Sequence, residues 1–164
     1  MEQKENQQRS KDVLMKYAKI GLDGLQKAGE TVAQELQSVS LEDVQKLSKE
    51  EFEKIPLPLF YDWARITGVE EIYVEAKINS FKSVEEKFEM FKNSELYSWQ
   101  FEDILETIVA EQRASASMLQ RLYQISFPKA IGYINELLRF GIIERVENNY
   151  NVLVSEGEYR KLKQ

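Results

Sequence analysis

Two short amphipathic segments, set close together and followed by an alternating stretch, constrain the fold of this chain more than any other feature. They lie in "ASASMLQRLYQISFPKAIGYINELLRFGIIE", residues 114–144. Leu119, Leu122 and Tyr123 give the first segment an apolar face. Ser117 stands where a helix would start, with Gln120 as its capping-box partner. "QIS" reads as a turn. A second helix is predicted over roughly 127–140, with Ala130, Ile131, Ile134, Leu137 and Leu138 inward. Pro128 fits its first turn, where a missing N–H costs little, and Gly141 suits its end. "FEDILETIVAEQ" before the pair is also amphipathic, and "RASAS" is short and extended. "IIERVENNYNVLV" then alternates as a strand, a polar turn around Asn148–Asn149 and a second strand, and Ser155 opens a last helix, "SEGEYRKLK". Helix, short strand, helix, turn, helix, β-hairpin is the order of a winged helix-turn-helix. In such modules the second turn-linked helix normally enters the DNA major groove.

Composition narrows the chemistry. The chain has 164 residues, 43% of them apolar and 30% charged, enough to bury a core. Three Pro and seven Gly are few breakers and favour helices. The absence of Cys excludes disulfides and thiolate metal sites, and the absence of His removes the usual general base and the commonest metal ligand. Asp62 and Arg65 near Trp63, or the carboxylates of 70–75, are the constellations left to weigh for catalysis, and such helix-surface charges are usually solvated. The expectation is therefore no enzyme, no cofactor and no metal. No run approaches the about 18 apolar residues of a membrane span, and "MEQKENQQRSKD" lacks a signal-peptide apolar core. A cytoplasmic protein without membrane contact is expected. The net charge of −6 argues against indiscriminate nucleic-acid binding. It is unevenly placed: residues 101–164 hold eight Lys/Arg against nine Asp/Glu, leaving 14 against 19 in residues 1–100. The C-terminal third can support one basic face.

The rest of the chain reads as helical. Residues 1–10 are expected as a disordered tail. Residues 11–38 read as one amphipathic helix whose seam is Leu14, Ala18, Gly21, Leu25, Ala28 and Val32, with Gly21, Gly24 and Gly29 each weakening it. Core packing and self-association both suit that seam. Ser40 with Asp43, and Ser48 with Glu51, look like helix starts. Pro56 and Pro58 predict an extended stretch, and Gly68 predicts a helix end. "EEIYVEAKINSF" fits strand or helix, with helix preferred. Phe88, Phe91, Leu96, Trp99, Ile104, Leu105 and Ile108 are expected in the core, as are the aromatics of 52–101 generally. The predicted architecture is mainly α: a helical region over 11–100, then a C-terminal winged helix-turn-helix over 101–164 with a small β-hairpin wing.

"RASASMLQRLYQISFPKAIGYINELLRFGIIE" resembles the C-terminal gamma domain of the FtsK/SpoIIIE DNA translocases. The matching residues are Ala114, Ser115, Ser117, Leu119, Gln120, Arg121, Ile125, Phe127, Lys129, Ala130, Ile134, Gly141 and Ile142, and "LVSEGEYRKL" is similar to that family's ending. The resemblance covers residues 101–164. The other residues contain no Walker A pattern, and so no ATPase motor. It implies a winged helix that, in the family, binds short G-rich sequences on duplex DNA and also contacts a site-specific recombinase. The family's recognition helix opens Asn-Arg-Ala-Ala-Arg; this chain has Pro128, Lys129, Ala130, Ile131 and Gly132. Lys129 keeps one positive charge, while Pro128 and Gly132 lose the natural base-reading groups.

The DNA-contacting residues expected from pattern and resemblance together are Arg113, Ser115, Ser117, Gln120, Arg121, Lys129, Tyr133 and Arg145. Arg121 and Lys129 stand where basic groups reach phosphates. Tyr133 and Asn135, expected outward on the second helix, are placed to read a sequence other than the family's G-rich site. Ser117 and Gln120 also have a purely structural reading, as cap and box partner. Two functions fit. One is a non-enzymatic DNA-binding accessory protein in bacterial plasmid, phage or chromosome maintenance, with duplex DNA as partner and a homo-oligomer formed through residues 11–38. The other is a protein–protein adaptor whose winged helix grips a recombinase or replication factor.

Overall fold

The structure, a computed structural model, describes residues 2–164, and the side chains of all of these except 2, 3 and 20–30. Two compact units divide the chain, residues 1–74 and 75–164. The boundary expected at 100/101 falls inside the second.

The first unit holds α1 (Glu2–Gln37), α2 (Leu41–Gln45), α3 (Lys49–Glu53), α4 (Leu57–Thr67) and the first residues of α5 (Ile72–Ser80). Residues 2–10, expected as a disordered tail, belong to α1. Ser10 is buried and donates to Asp43 Oδ2 at 2.6 Å, and Lys11 Nζ lies 2.6 Å from Glu51 Oε2. A long-range contact also corrects the reading of 11–38 as one seam. Lys16 Nζ lies 3.1 Å from Glu35 Oε1, whereas a straight helix would hold residues 19 apart at about 28 Å. The chain must therefore reverse direction between Lys16 and Glu35. Leu14, Tyr17, Val32 and Leu36 are all buried, as two antiparallel arms require. The side chains of Gly21, Leu25 and Ala28 of the expected seam, and of Gly24 and Gly29, lie outside the described residues.

Local signals in this unit act through the chemistry that suggested them. The Ser40 side chain accepts from the Asp43 N–H, and Ser48 with Glu51 forms a reciprocal capping box. The extended stretch expected from two prolines is shorter than predicted. Pro56 is extended (φ −60°, ψ 135°) and is the N-cap of α4, whereas Pro58 sits in the first turn, where a helix leaves its N–H groups unpaired. Gly68, at φ 76°, ends α4. Leu59, Phe60 and Trp63 fill the core, and the Trp63 indole donates to the Val39 carbonyl at 2.8 Å.

The second unit continues with α6 (Val84–Lys92), α7 (Trp99–Glu111), α8 (Ala116–Tyr123), α9 (Phe127–Arg139), β1 (Ile143–Val146), β2 (Asn149–Val152) and α10 (Glu156–Lys163). The strands pair antiparallel, Ile143 with Val152 and Val146 with Asn149. The turn is therefore Glu147–Asn148, one residue earlier than expected. Ala114 makes an isolated antiparallel bridge to Tyr150, which supplies the short strand before α8. The fold is mainly α with a β-hairpin wing. Phe91, Phe101 and Tyr133 pack in series with ring centroids 4.7 Å apart in each pair, the first pair tilted at 54° and the second stacked at 24°. Ile104, Leu105, Ile108, Leu119, Ile134 and Leu137 are buried around them. Three expected core residues are outside: Leu96 and Tyr97 are exposed, and Trp99, at the first position of α7, is 90% exposed. Helical spacing does not apply to the turn before α7, and the first position of a helix has no preceding turn to share a buried face with.

Candidate nucleic-acid interface

α7 supports the two turn-linked helices. Ser98 caps it by accepting from the Phe101 N–H. Its end is fixed by Gln112, which adopts a left-handed φ of 51° and donates its side-chain amide to both the Val109 and Val154 carbonyls, at 2.8 and 3.0 Å. The helix is thereby tied to the chain leaving the hairpin. Tyr123, at the end of α8, bonds Thr107 Oγ1 at 2.7 Å and donates to the Asp103 carbonyl at 3.1 Å. Burial raises its phenol above the ordinary tyrosine value, so it stays a neutral donor.

α8 begins two residues earlier than its sequence suggests. Ser115, not Ser117, is the N-cap and accepts from the Met118 N–H at 3.1 Å. Ser117 lies inside the helix with its Oγ 3.4 Å from that of Ser115, and Gln120 closes no capping box. The buried pair on α8 is Met118 and Leu119, while Leu122 is 53% exposed. Gln124, at φ 54°, reverses the chain into the turn. Ser126 then caps α9 by accepting from the Lys129 N–H at 3.3 Å, with Pro128 in the first turn.

α9 ends as the glycine predicted, and more tightly. Gly141, at φ 72°, donates to Leu138 O, and Ile142 donates to Leu137 O, both at 3.0 Å. This is a Schellman closure. Ala130, Ile134, Leu137 and Leu138 face the core, and Ile131 is half-buried.

The structure separates the expected contact residues into three groups. Arg113, Arg121 and Lys129 are exposed, and among the described residues their side chains have no ion pair or hydrogen bond. Arg113 precedes α8, Arg121 is in its last turn and Lys129 is in the first turn of α9. Arg121 and Lys129 bracket the turn between the two helices, and Arg113 stands before the start of α8. Ser115, Ser117 and Gln120 form the second group, at the start and along the length of α8, with Ser115 engaged as cap. Tyr133 and Arg145 depart from expectation. Tyr133 is only 6% exposed; it stacks on Phe101 and donates to Gln100 Oε1 at 3.0 Å. It is core, because positions 130, 133, 134 and 137 form one face of a 3.6-residue helix. Arg145 is half-buried, and its Nε donates to the Glu147 carbonyl at 3.1 Å across the wing turn. Asn135, expected to read bases beside Tyr133, is half-buried on α9, and one outward residue was absent from the expected contact set: Phe127, 56% exposed.

Most other cations of this unit are occupied. Arg139 pairs with Glu75 and Glu136, Arg160 with Glu156, and Lys163 with Glu102. Lys77 and Lys92 lie over Phe81 and Phe88. Among the described residues of this unit, Lys87 and Lys161 also have no ion pair or hydrogen bond; Lys87 is buried, and Lys161 lies on α10. Among the described residues no group of three acidic, His or Cys side chains could hold a metal ion, and no helix is long and apolar enough to cross a membrane.

Residues 98–152 match the family model of the Ftsk gamma domain. The match runs from the N-cap of α7 to the last residue of β2, so this segment is similar to that gamma domain over the helix-turn-helix and the wing. α10, which carries the similar ending, lies beyond the match, and the preceding residues have no recognised family. No curated protein and no solved structure matches the chain.

Proposed function

We propose that this gamma-like segment binds duplex DNA, with α9 as the helix that enters the major groove and Arg113, Arg121 and Lys129 on phosphates. One observation carries this reading: exposed, unpaired Arg121 and Lys129 flank the turn of a helix-turn-helix within a segment similar to a DNA-binding winged-helix family, with Arg113 before its first helix. Ser115, Ser117 and Gln120 add polar groups along α8. Arg145 contributes at the wing only by leaving the Glu147 carbonyl. Phosphate contacts of this kind set register and affinity, and base edges set specificity. The protein acts as a cytoplasmic, non-enzymatic accessory factor in bacterial plasmid, phage or chromosome maintenance, and residues 11–38 contribute to self-association.

The test is fluorescence anisotropy of the whole protein with random duplex, G-rich duplex and single strands at two salt concentrations. Duplex binding that weakens steeply with salt is expected. Three phosphates neutralised correspond to a log–log slope of about −3. No binding to any duplex at low salt overturns the reading.

A second reading, an adaptor gripping a recombinase or replication factor, is favoured by Trp99 beside the exposed Leu96 and Tyr97, an apolar patch that DNA backbone would not use. A complex with such a partner that forms without DNA and is lost in Trp99→Ala would establish it.

A further inference from the structure

The N-terminal residues of the second helix of a helix-turn-helix are the ones that reach base edges. In α9 these are Phe127, Pro128 and Lys129, followed by Ile131, Gly132 and Asn135. Phe127, Ile131 and Asn135 fall at i, i+4 and i+8 and form one ridge. Phe127 is 56% exposed and contacts no other ring among the described residues. The Asn135 amide makes no hydrogen bond among them. Lys129 lies on the opposite flank, at about 160° from Phe127, and suits a phosphate. Gly132 presents nothing.

We infer that α9 reads A·T base pairs, with Phe127 and Asn135 as its specificity-determining residues; this rests on the DNA-binding reading and deepens it. The major-groove code supports the inference. Guanine is read by a bidentate cation on O6 and N7, and cytosine by a carboxylate on its amino group. The ridge carries neither. An apolar side chain meets the thymine methyl, and Asn pairs with adenine N6 and N7. Phe127 and Asn135 are separated by about 12 Å along the axis, the length of three to four base pairs at about 3.4 Å each. A short element with thymine towards one end and adenine towards the other fits both.

The experiment is a competition titration of the full chain at fixed salt. The probes are an A·T-rich duplex, a G-rich duplex of equal length, and the A·T-rich duplex with deoxyuridine replacing thymidine. That exchange removes only the base methyl. The A·T-rich duplex is expected to bind at least about tenfold more tightly than the G-rich one. Deoxyuridine should weaken binding several-fold, and Phe127→Ala should erase the difference between the two A·T probes. Asn135→Ala should lose the A·T preference while keeping the salt slope. Salt-dependent binding with equal or greater affinity for the G-rich duplex overturns this inference alone. Indifference to the thymine methyl overturns the role of Phe127, on the unaltered protein and so independently of how any variant folds. Absence of salt-dependent binding to every duplex overturns the DNA-binding reading and this inference with it.

Discussion

Gly141 lies against Asn79 so closely that a Cβ on the glycine would stand 2.5 Å from the Asn79 carbonyl carbon. The Asn79 side chain in turn donates to the Arg139 carbonyl at 2.6 Å. The end of α9 is thus held by a residue of α5 in a space only glycine can share, and at a φ of 72° that glycine favours. Gly141→Ala should destabilise the C-terminal unit by about 3 kcal/mol, combining left-handed strain with a backbone clash. Urea denaturation followed by circular dichroism measures it. An unchanged midpoint would show that α5 can move away.

Gly132 is the opposite case. A Cβ there meets nothing within 4 Å, and the residue sits inside α9 with no positive φ. Gly132→Arg should stabilise the helix by about 0.5–1 kcal/mol through propensity alone. It also restores a cation to the groove-facing surface, so the salt slope of duplex binding should steepen by about 1. A stabilised variant with an unaltered slope would place position 132 away from DNA.

Arg121→Ala and Lys129→Ala should each weaken duplex binding on every sequence and reduce the slope by about 1, with thermal stability within about 0.5 kcal/mol of the parent. Anisotropy at several salt concentrations separates this from a loss of specificity. Parental binding by both variants would remove these side chains from the interface.

Lys87 is buried on α6, and among the described residues its ammonium has no hydrogen bond or ion pair. Burial lowers its pKa, against the attraction of Glu158 and Glu144. An apolar side chain of similar length avoids that desolvation, so Lys87→Met should stabilise the unit by about 1 kcal/mol. A lower melting temperature would show that the distant carboxylates outweigh it.

Acid should destabilise the protein through its caps. The Ser155 backbone N–H holds the Glu158 carboxyl below the ordinary value of 4.5, and Lys11 does the same for Glu51. A folded pKa below the unfolded one gives stability that is complete above the unfolded value and lost as pH falls through the folded one. Denaturation midpoints should therefore decline below about pH 4.5. Glu158→Gln, which keeps the box geometry, should flatten that decline; an identical acid limb would mean Glu158 is not linked to folding.

Elements whose start is announced by one side chain were legible in the sequence. Ser40, Ser48 and Ser155 cap where they were expected to, and Gly68 and Gly141 close their helices. The slip at α8 shows the limit. Ser115 and Ser117 are both competent caps, and choosing the second buries Leu122 instead of Met118. Tyr133 was placed outward because polarity was weighed above the 3.6-residue face it shares with Ala130 and Leu137. The reversal within α1 left no trace in its seam, since an antiparallel arm buries the same apolar positions that a straight helix would offer to a partner. The outward ridge of α9 was hidden for a related reason: an exposed Phe in a helix's first turn looks the same in sequence as a buried one.

The Lys16–Glu35 contact has a mechanical consequence. A straight element of 36 residues would be a rod of about 54 Å, able to hold a partner at a distance or to zip lengthwise with a second copy. With Lys16 brought against Glu35 it is shorter than such a rod, and self-association through residues 11–38 has no single straight seam to use.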